Sequence, residues 1–289
     1  MYDLGGKVAL VTGASRRRGL GASIARGLAR EGADVAVSDI YIPPEQFDAW
    51  DRYVGWRGLE SLVEEIQALG RRGLTIHADL TKSKEITGMV ARALEEFGKI
   101  DILVNNAGII ARDTGAPDIV NMTEEIWNRT VAVNLTAPFL ICKAVVPQMI
   151  RRGEGGRIIN MLSAAAKRPT QGRADYCATK FGLNGLTEVL ALELGKYKIT
   201  ANGICPGFVV SWGSRGALIW QYIQEEGLSE EEAIEKAYAG LYAGRGKIPP
   251  LARPATTDEV VNLVLWLASP QAEYFTGQAL NFDGGETMH

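Results

Sequence analysis

Short apolar runs alternate along this chain with longer stretches in which apolar residues recur every three or four positions. Runs of four to eight residues rich in β-branched side chains read as strands buried on both faces, and 3.6-residue periodicity reads as amphipathic helix. The pattern predicts strands near 7–12, 34–39, 74–79, 100–105, 156–162, 199–205 and 278–282. It predicts helices near 21–31, 58–70, 83–97, 123–151, 175–196 and 256–268. Strand and helix in repeated alternation are the signature of βαβ units and a parallel sheet. The chain is therefore expected to form a single α/β domain over 1–289, a doubly wound parallel sheet of about seven strands with helices on both faces. No Pro/Ser-rich linker, composition shift or internal repeat interrupts it.

Two segments break the alternation. "YIPPEQFDAWDRYVGWRG", residues 41–58, follows the second strand and carries five aromatic residues. A second excursion, about 212–250, contains Trp212, Trp220, Tyr222, Tyr238 and Tyr242. Ligands of open α/β sheets bind outside the carboxyl ends of the strands, and both excursions leave from that edge. Both are candidate covers for a bound ligand, the second a lid. Aromatic loop clusters also build satellite cores or subunit contacts, and for the first segment both readings stand.

Composition narrows the class. With 46% hydrophobic and 22% charged residues and a formal net charge of −3, the chain matches an ordinary soluble globular protein and lacks the basic balance of a nucleic-acid binder. Cys142, Cys177 and Cys205 are odd in number and far apart, so neither a disulfide framework nor a metal spacing is expected, and a reducing, cytoplasmic setting is. The N-terminus lacks a charged stretch followed by a long apolar one, and no unbroken run of about 18 apolar residues occurs. No secretion and no membrane association are therefore expected. His77 and His289 are the only histidines, which speaks against a Ser-His-Asp hydrolase or a histidine metal site. His77 reads as a structural histidine within a strand.

"TGASRRRGLG", residues 12–21, joins the first strand to the first helix. Backbone N–H groups at a helix start reach a pyrophosphate only where no Cβ intervenes, and Gly13, Gly19 and Gly21 occupy that stretch. Asp39, 20 residues beyond Gly19 at the end of the second strand, stands where a carboxylate accepts hydrogen bonds from an adenosine ribose and repels a 2'-phosphate. Asn105-Asn106-Ala107-Gly108 ends the fourth strand, Ser163 follows the fifth, and Tyr176 and Lys180 share a helix face four residues apart.

In this order these elements resemble the short-chain dehydrogenase/reductase family over essentially the whole chain. "HADL", "VAVNLTAPF", "PGFVVS" and "GQALNFDGG" add to the match. The resemblance implies a Rossmann-type fold and a catalytic set of Asn134, Ser163, Tyr176 and Lys180. In it, Ser163 orients the substrate oxygen and Tyr176 is the general acid/base. Lys180 holds the nicotinamide ribose and lowers the tyrosine pKa, and Asn134 supports a relay water. It implies a cofactor cradle of Gly13, Ser15, Arg18, Gly19, Leu20 and Gly21, an adenine site at Asp79 and Leu80, and a ribose wall of Asn106, Ala107 and Gly108. Pro206, Gly207, Val209 and Ser211 would then meet the carboxamide. It also implies a homodimer or homotetramer, with helices 123–151 and 175–196 as contact surfaces.

The chemistry agrees with those roles. A free tyrosine titrates near pH ~10, too high for a base at neutral pH. An ammonium at roughly 4 Å in an effective dielectric of about 20 is worth ~4 kcal/mol, enough to lower that value by up to about 3 units.

The chain departs from the family fingerprint in one loop: five residues, Ala14 to Arg18, separate the first two glycines where three are usual. Arg18 sits where a basic residue favours NADP, in tension with Asp39; arginines on an enlarged loop can point to solvent, so NAD is the expected cofactor and NADP the alternative. The expected function is hydride transfer between NAD and a small secondary alcohol or ketone, with cyclic or sugar-like substrates preferred from the aromatic lid. The alternatives are an NADP-preferring ketoreductase and a dinucleotide-binding sensor without turnover. A tightly held cofactor beneath segment 41–58 is a further alternative.

Overall fold

The first strand shows how the sheet is assembled. Ala9 and Val11 face one hydrophobic cluster and Leu10 the other, all fully buried, as the two-residue period of a strand covered on both sides requires. The computed structural model describes residues 2–110, 118–210, 212–243 and 249–288. Its first half runs β1 (Val8–Thr12), α1 (Leu20–Arg30), β2 (Asp34–Asp39), α2 (Ala49–Tyr53), α3 (Leu59–Ala68), β3 (Gly73–His77), α4 (Ser83–Phe97), β4 (Ile102–Asn105), α5 (Glu124–Val131) and α6 (Ala137–Arg152). There follow β5 (Gly156–Met161), α7 (Ala174–Leu194), β6 (Ile199–Pro206), β7 (Val209–Val210), α8 (Trp212–Glu226), α9 (Glu230–Ala243), β8 (Ala255–Thr256), α10 (Thr257–Ala268) and β9 (Ala279–Phe282).

Among the described residues, one seven-stranded parallel sheet has the order β3-β2-β1-β4-β5-β6-β9. β7 and β8 pair separately, Val209 with Ala255. The strand order reverses between β1 and β4, so the crevice at their carboxyl ends is the natural ligand position of this topology. One core packs α1, α3 and α10 against the sheet; the other packs α4, α6 and α7.

The helix expected over 123–151 is two α-helices joined by a π-turn, Ala132–Thr136. There the Ala137 N–H bonds to the Ala132 carbonyl, one residue farther back than in an α-helix. The joined run Glu124–Arg152 is long and apolar enough to cross a membrane by length and composition, with an 18-residue window of mean hydropathy 1.5. The sequence expectation counted unbroken apolar residues and so passed over it. Its Ile141, Cys142, Val145 and Met149 are buried in the second core.

The first insertion is packed, and in two directions. Phe47 and Trp56 join the main core, whereas Trp50 joins a small cluster with Ile219 and Tyr238 of the lid. Trp50 and Tyr53 lie 5.1 and 5.3 Å from the Trp220 ring. His77 hydrogen-bonds Glu60 through Nε2 at 2.8 Å and meets the Tyr41 ring edge-on.

Candidate active site

α7 supplies one wall of the crevice. Asp175 in its first turn is buried and accepts a hydrogen bond from Thr130 Oγ1 of α5 at 2.7 Å, fixing the helix start. One turn on, Lys180 is 3% exposed. Its Nζ donates to the Met161 carbonyl at the end of β5 at 2.7 Å and lies 5.6 Å from the centre of the Tyr176 ring. Burial pushes the Lys180 ammonium down to about 8. Burial likewise holds the Cys205 thiol up at about 11, so it is neutral beside Lys180.

Ser163 leaves β5 in extended conformation and caps a 3-10 turn, its Oγ accepting the Ala165 N–H at 3.1 Å. The hydroxyl proton stays available to a substrate oxygen. Asn134, fully buried within the π-turn, spends its amide on Ile109, accepting the N–H at 2.8 Å and donating to the carbonyl at 2.9 Å.

The opposite wall is the glycine loop. Gly13 has φ +71, and a Cβ on it would meet the Ala107 backbone at 2.7 Å; one on Gly21 would sit 2.2 Å from the Gly13 carbonyl. These two glycines let α1 start directly against the ends of β1 and β4. α1 has no side-chain cap, and its N-cap is Gly19, so the N–H groups of the first turn are not used within the helix. The Gly19 N–H itself bonds to the Arg16 carbonyl at 2.9 Å, closing the loop instead of facing a phosphate.

A cleft of about 210 Å³ brings together Leu20, Asn106, Gly108, Ser163, Tyr176, Lys180, Pro206 and Gly207. Asn106 also ties β4 to β1, donating to the carbonyls of Thr12 and Gly13, and the Ala107 N–H bonds to Thr12 Oγ1. Asp39, farther along the crevice, accepts the Ser15 N–H at 2.9 Å and Oγ at 2.7 Å through Oδ2. Asp79 lies just past the end of its strand, which stops at His77, two residues short of the sequence expectation; its carboxylate accepts the Thr81 N–H and hydroxyl, and those hydrogen bonds, with Lys82 nearby, hold it below the usual carboxylate range. Leu80 is buried in the second core, and Val209 lies in β7. Ser211 lies outside the described residues.

Two expectations change. Arg18 neither points to solvent nor joins this cleft: it pairs with Glu230 of α9 and lines a larger cleft of about 1090 Å³ between α1 and the lid. The lid's Trp220, Tyr222 and Tyr238 pack with the insertion and with one another, and none of these three lines the cleft; the side chains of Trp212 and Tyr242 lie outside the described residues.

Sequence reading missed the groups that support the site. Asn105 Nδ2 donates to Asn160 Oδ1, and Asn160 Nδ2 to Thr187 Oγ1, a buried ladder crossing from β4 through β5 to α7. Its signal was an asparagine between the apolar residues of "IINM" in the fifth strand. Trp56 Nε1 donates to the Ser15 carbonyl at 2.7 Å, a contact that the aromatic richness of 41–58 did not specify.

Among known proteins, a family model described as enoyl-(acyl carrier protein) reductase matches residues 13–287. The trans-4-hydroxycyclohexanecarboxylate dehydrogenase of Sinomonas cyclohexanicum is 37% identical over 97% of this chain and 93% of its own length. A 3-oxoacyl-(acyl-carrier-protein) reductase of Staphylococcus epidermidis is 35% identical over 98% of this chain and 99% of its own. The crystal structure of carveol dehydrogenase from Mycobacterium avium in complex with NAD superposes with a TM-score of 0.80 at 27% identity, covering 99% of both chains.

Proposed function

Because the chain belongs to the short-chain dehydrogenase/reductase family, a class of NAD(P)-dependent oxidoreductases, we propose that it is an NAD-preferring dehydrogenase of secondary alcohols with Tyr176 as its acid/base. The observation that carries this is Lys180: a buried cation facing the Tyr176 ring, in one cleft with Ser163. Withdrawing an ammonium from water costs free energy, and a positive charge in this position would favour the ionised form of the neighbouring phenol.

The crevice fits a dinucleotide. The uncapped start of α1 offers N–H groups and a positive dipole end to a pyrophosphate, and Gly13 and Gly21 form a cradle that side chains would fill. Leu20, Ser15, Asn106, Ala107 and Gly108 would flank it, with Asp39 toward the ribose, Asp79 and Leu80 toward the adenine, and Pro206, Gly207 and Val209 toward the carboxamide. The bound nicotinamide supplies or accepts the hydride. The chain's own groups do the rest. Ser163 Oγ donates to the substrate oxygen and holds it; Tyr176 takes the hydroxyl proton in oxidation or returns it in reduction; Lys180 places a positive charge beside the tyrosine ring. With the Asn134 side chain occupied by Ile109, its part is to fix the π-turn, whose displaced backbone register offers a relay water an acceptor.

NAD is favoured because Asp39 presents a carboxylate at the ribose edge while Arg18 is engaged by Glu230. Cyclic secondary alcohols are favoured by the relatives, whose names specify a hydroxycyclohexanecarboxylate and carveol. A homodimer or homotetramer through α5, α6 and α7 is supported by large apolar side chains left in water there, including Phe139, Phe181, Val189 and Leu192.

Tyr176→Phe tests the central role. NADH formation with cyclic alcohols should fall at least about 10³-fold, within the range general acid–base catalysis supplies, while calorimetric NAD affinity stays within about threefold. Turnover within tenfold of wild type refutes the assignment.

A further inference from the structure

The enlarged glycine loop and the insertion after β2 are in contact, and the contacts are to the loop's backbone. The Ser15 carbonyl accepts the Trp56 indole N–H at 2.7 Å. The Arg17 carbonyl accepts a guanidinium N–H of Arg26 at 2.7 Å, and Arg26 is itself held by Glu65 at 2.5 Å and lies 5.5 Å from the Trp56 ring. The Ser15 N–H and hydroxyl go to Asp39. The Asp51 carboxylate lies against the backbone N–H of Arg17. Trp56 and Asp51 are 5% and 4% exposed, so both act in a dry setting. Neither lines the catalytic cleft.

A loop two residues longer than the family's usual one has more conformations to lose when it closes on a ligand. Tying it down beforehand moves that cost from binding to folding. We propose that Trp56 and Asp51 are positioning residues for the dinucleotide: the insertion holds the enlarged loop in its binding shape and thereby sets cofactor affinity. This rests on the cofactor reading above.

The insertion also reaches the lid, through Trp50 and Tyr53 against Trp220, and the loop reaches it through Arg18 and Glu230. The loop is therefore braced from both sides by surface elements and from below by Asp39.

Titration calorimetry with NADH on purified full-length protein reads the effect without turnover. Trp56→Phe keeps an aromatic ring in the core and removes the N–H together with the pyrrole part of the indole. The Kd for NADH and the KM for NAD should rise about tenfold, with kcat at saturation within twofold and Tm within about 3 °C. Asp51→Ala should raise Kd three- to tenfold, whereas Asp51→Asn, which keeps an acceptor for the Arg17 N–H, should restore it to within twofold of wild type. If Trp56→Phe does not fold, the Asp51 pair decides alone. An unchanged Kd in Trp56→Phe or in Asp51→Ala overturns the proposal, as does a Kd in Asp51→Asn as weak as in Asp51→Ala. A wild-type protein that binds neither NADH nor NADPH overturns the cofactor reading and this proposal together; binding by wild type with unaffected variants overturns only this one.

Discussion

On the α7 side of the cleft the working groups are continuous with the interior: Lys180 hangs from the Met161 carbonyl, Asn134 from Ile109, and Asn105, Asn160 and Thr187 cross-link the strands beneath. On the glycine-loop side the backbone is held by groups from a surface insertion, Trp56 and Asp51, and from a helix flank, Arg26. The first wall is made by the same packing that makes the fold. The second is braced by an insertion and a helix flank that lie outside the sheet, although one brace, Trp56, is packed into the main core. Proton chemistry, which needs fixed distances, sits on the first; cofactor grip, which a protein can tune, sits on the second.

Lys180→Met probes the first wall and, second only to Tyr176→Phe, should have a large effect, a fall of at least 100-fold in kcat/KM. Stability should move the other way. Because the folded value near 8 lies below the unfolded 10.5, burying the ammonium costs about 3 kcal/mol at pH 7, at ~1.4 kcal/mol per unit. That cost is full below pH 8 and disappears as pH rises through 10.5. Methionine removes it but leaves the Met161 carbonyl without its donor, a loss of about 1–3 kcal/mol. Thermal denaturation at pH 7 should therefore give a Tm no lower than wild type; a large drop would mean that the lysine is a structural prop.

The cofactor wall comes next. kcat/KM should favour NAD over NADP by at least about tenfold, and Asp39→Ala should shrink that ratio while also weakening NAD, because Asp39 anchors Ser15. A ratio that survives the substitution would move discrimination elsewhere on the loop.

The smallest effect is a pH signature. Burial and then Asp48 raise the Asp51 carboxyl to about 6, against Arg17 and Arg16. A carboxyl raised on folding contributes stability that is full below its unfolded value of 3.8 and lost as pH rises through 6. Asp51→Asn should thus match wild type in Tm near pH 4 and exceed it by a few degrees at pH 7. A difference that is constant with pH would separate Asp51 from this titration.

The contrast between the walls also explains what could be read in advance. Sheet, helices and cleft residues follow from periodicity and from motifs whose members lie close in sequence, such as Tyr176 and Lys180. The π-turn was hidden because Ala132–Thr136 keeps helical composition, and one residue of slippage leaves no mark in a hydrophobic pattern. The pairing of Arg18 with Glu230 was not legible because the two are 212 residues apart, and no local rule pairs them. The lid aromatics looked ready for a ligand in sequence, yet Trp220 has its partners in the other insertion.

Trp56 belongs to the main core while Trp50, six residues earlier, belongs to the lid cluster. A chimera that replaces the glycine loop with the shorter three-residue form, or that trims segment 41–58 alone, would strand an indole N–H on one side or a lengthened loop on the other. Anyone grafting the cofactor preference of a relative onto this scaffold has to exchange the two segments as one cassette.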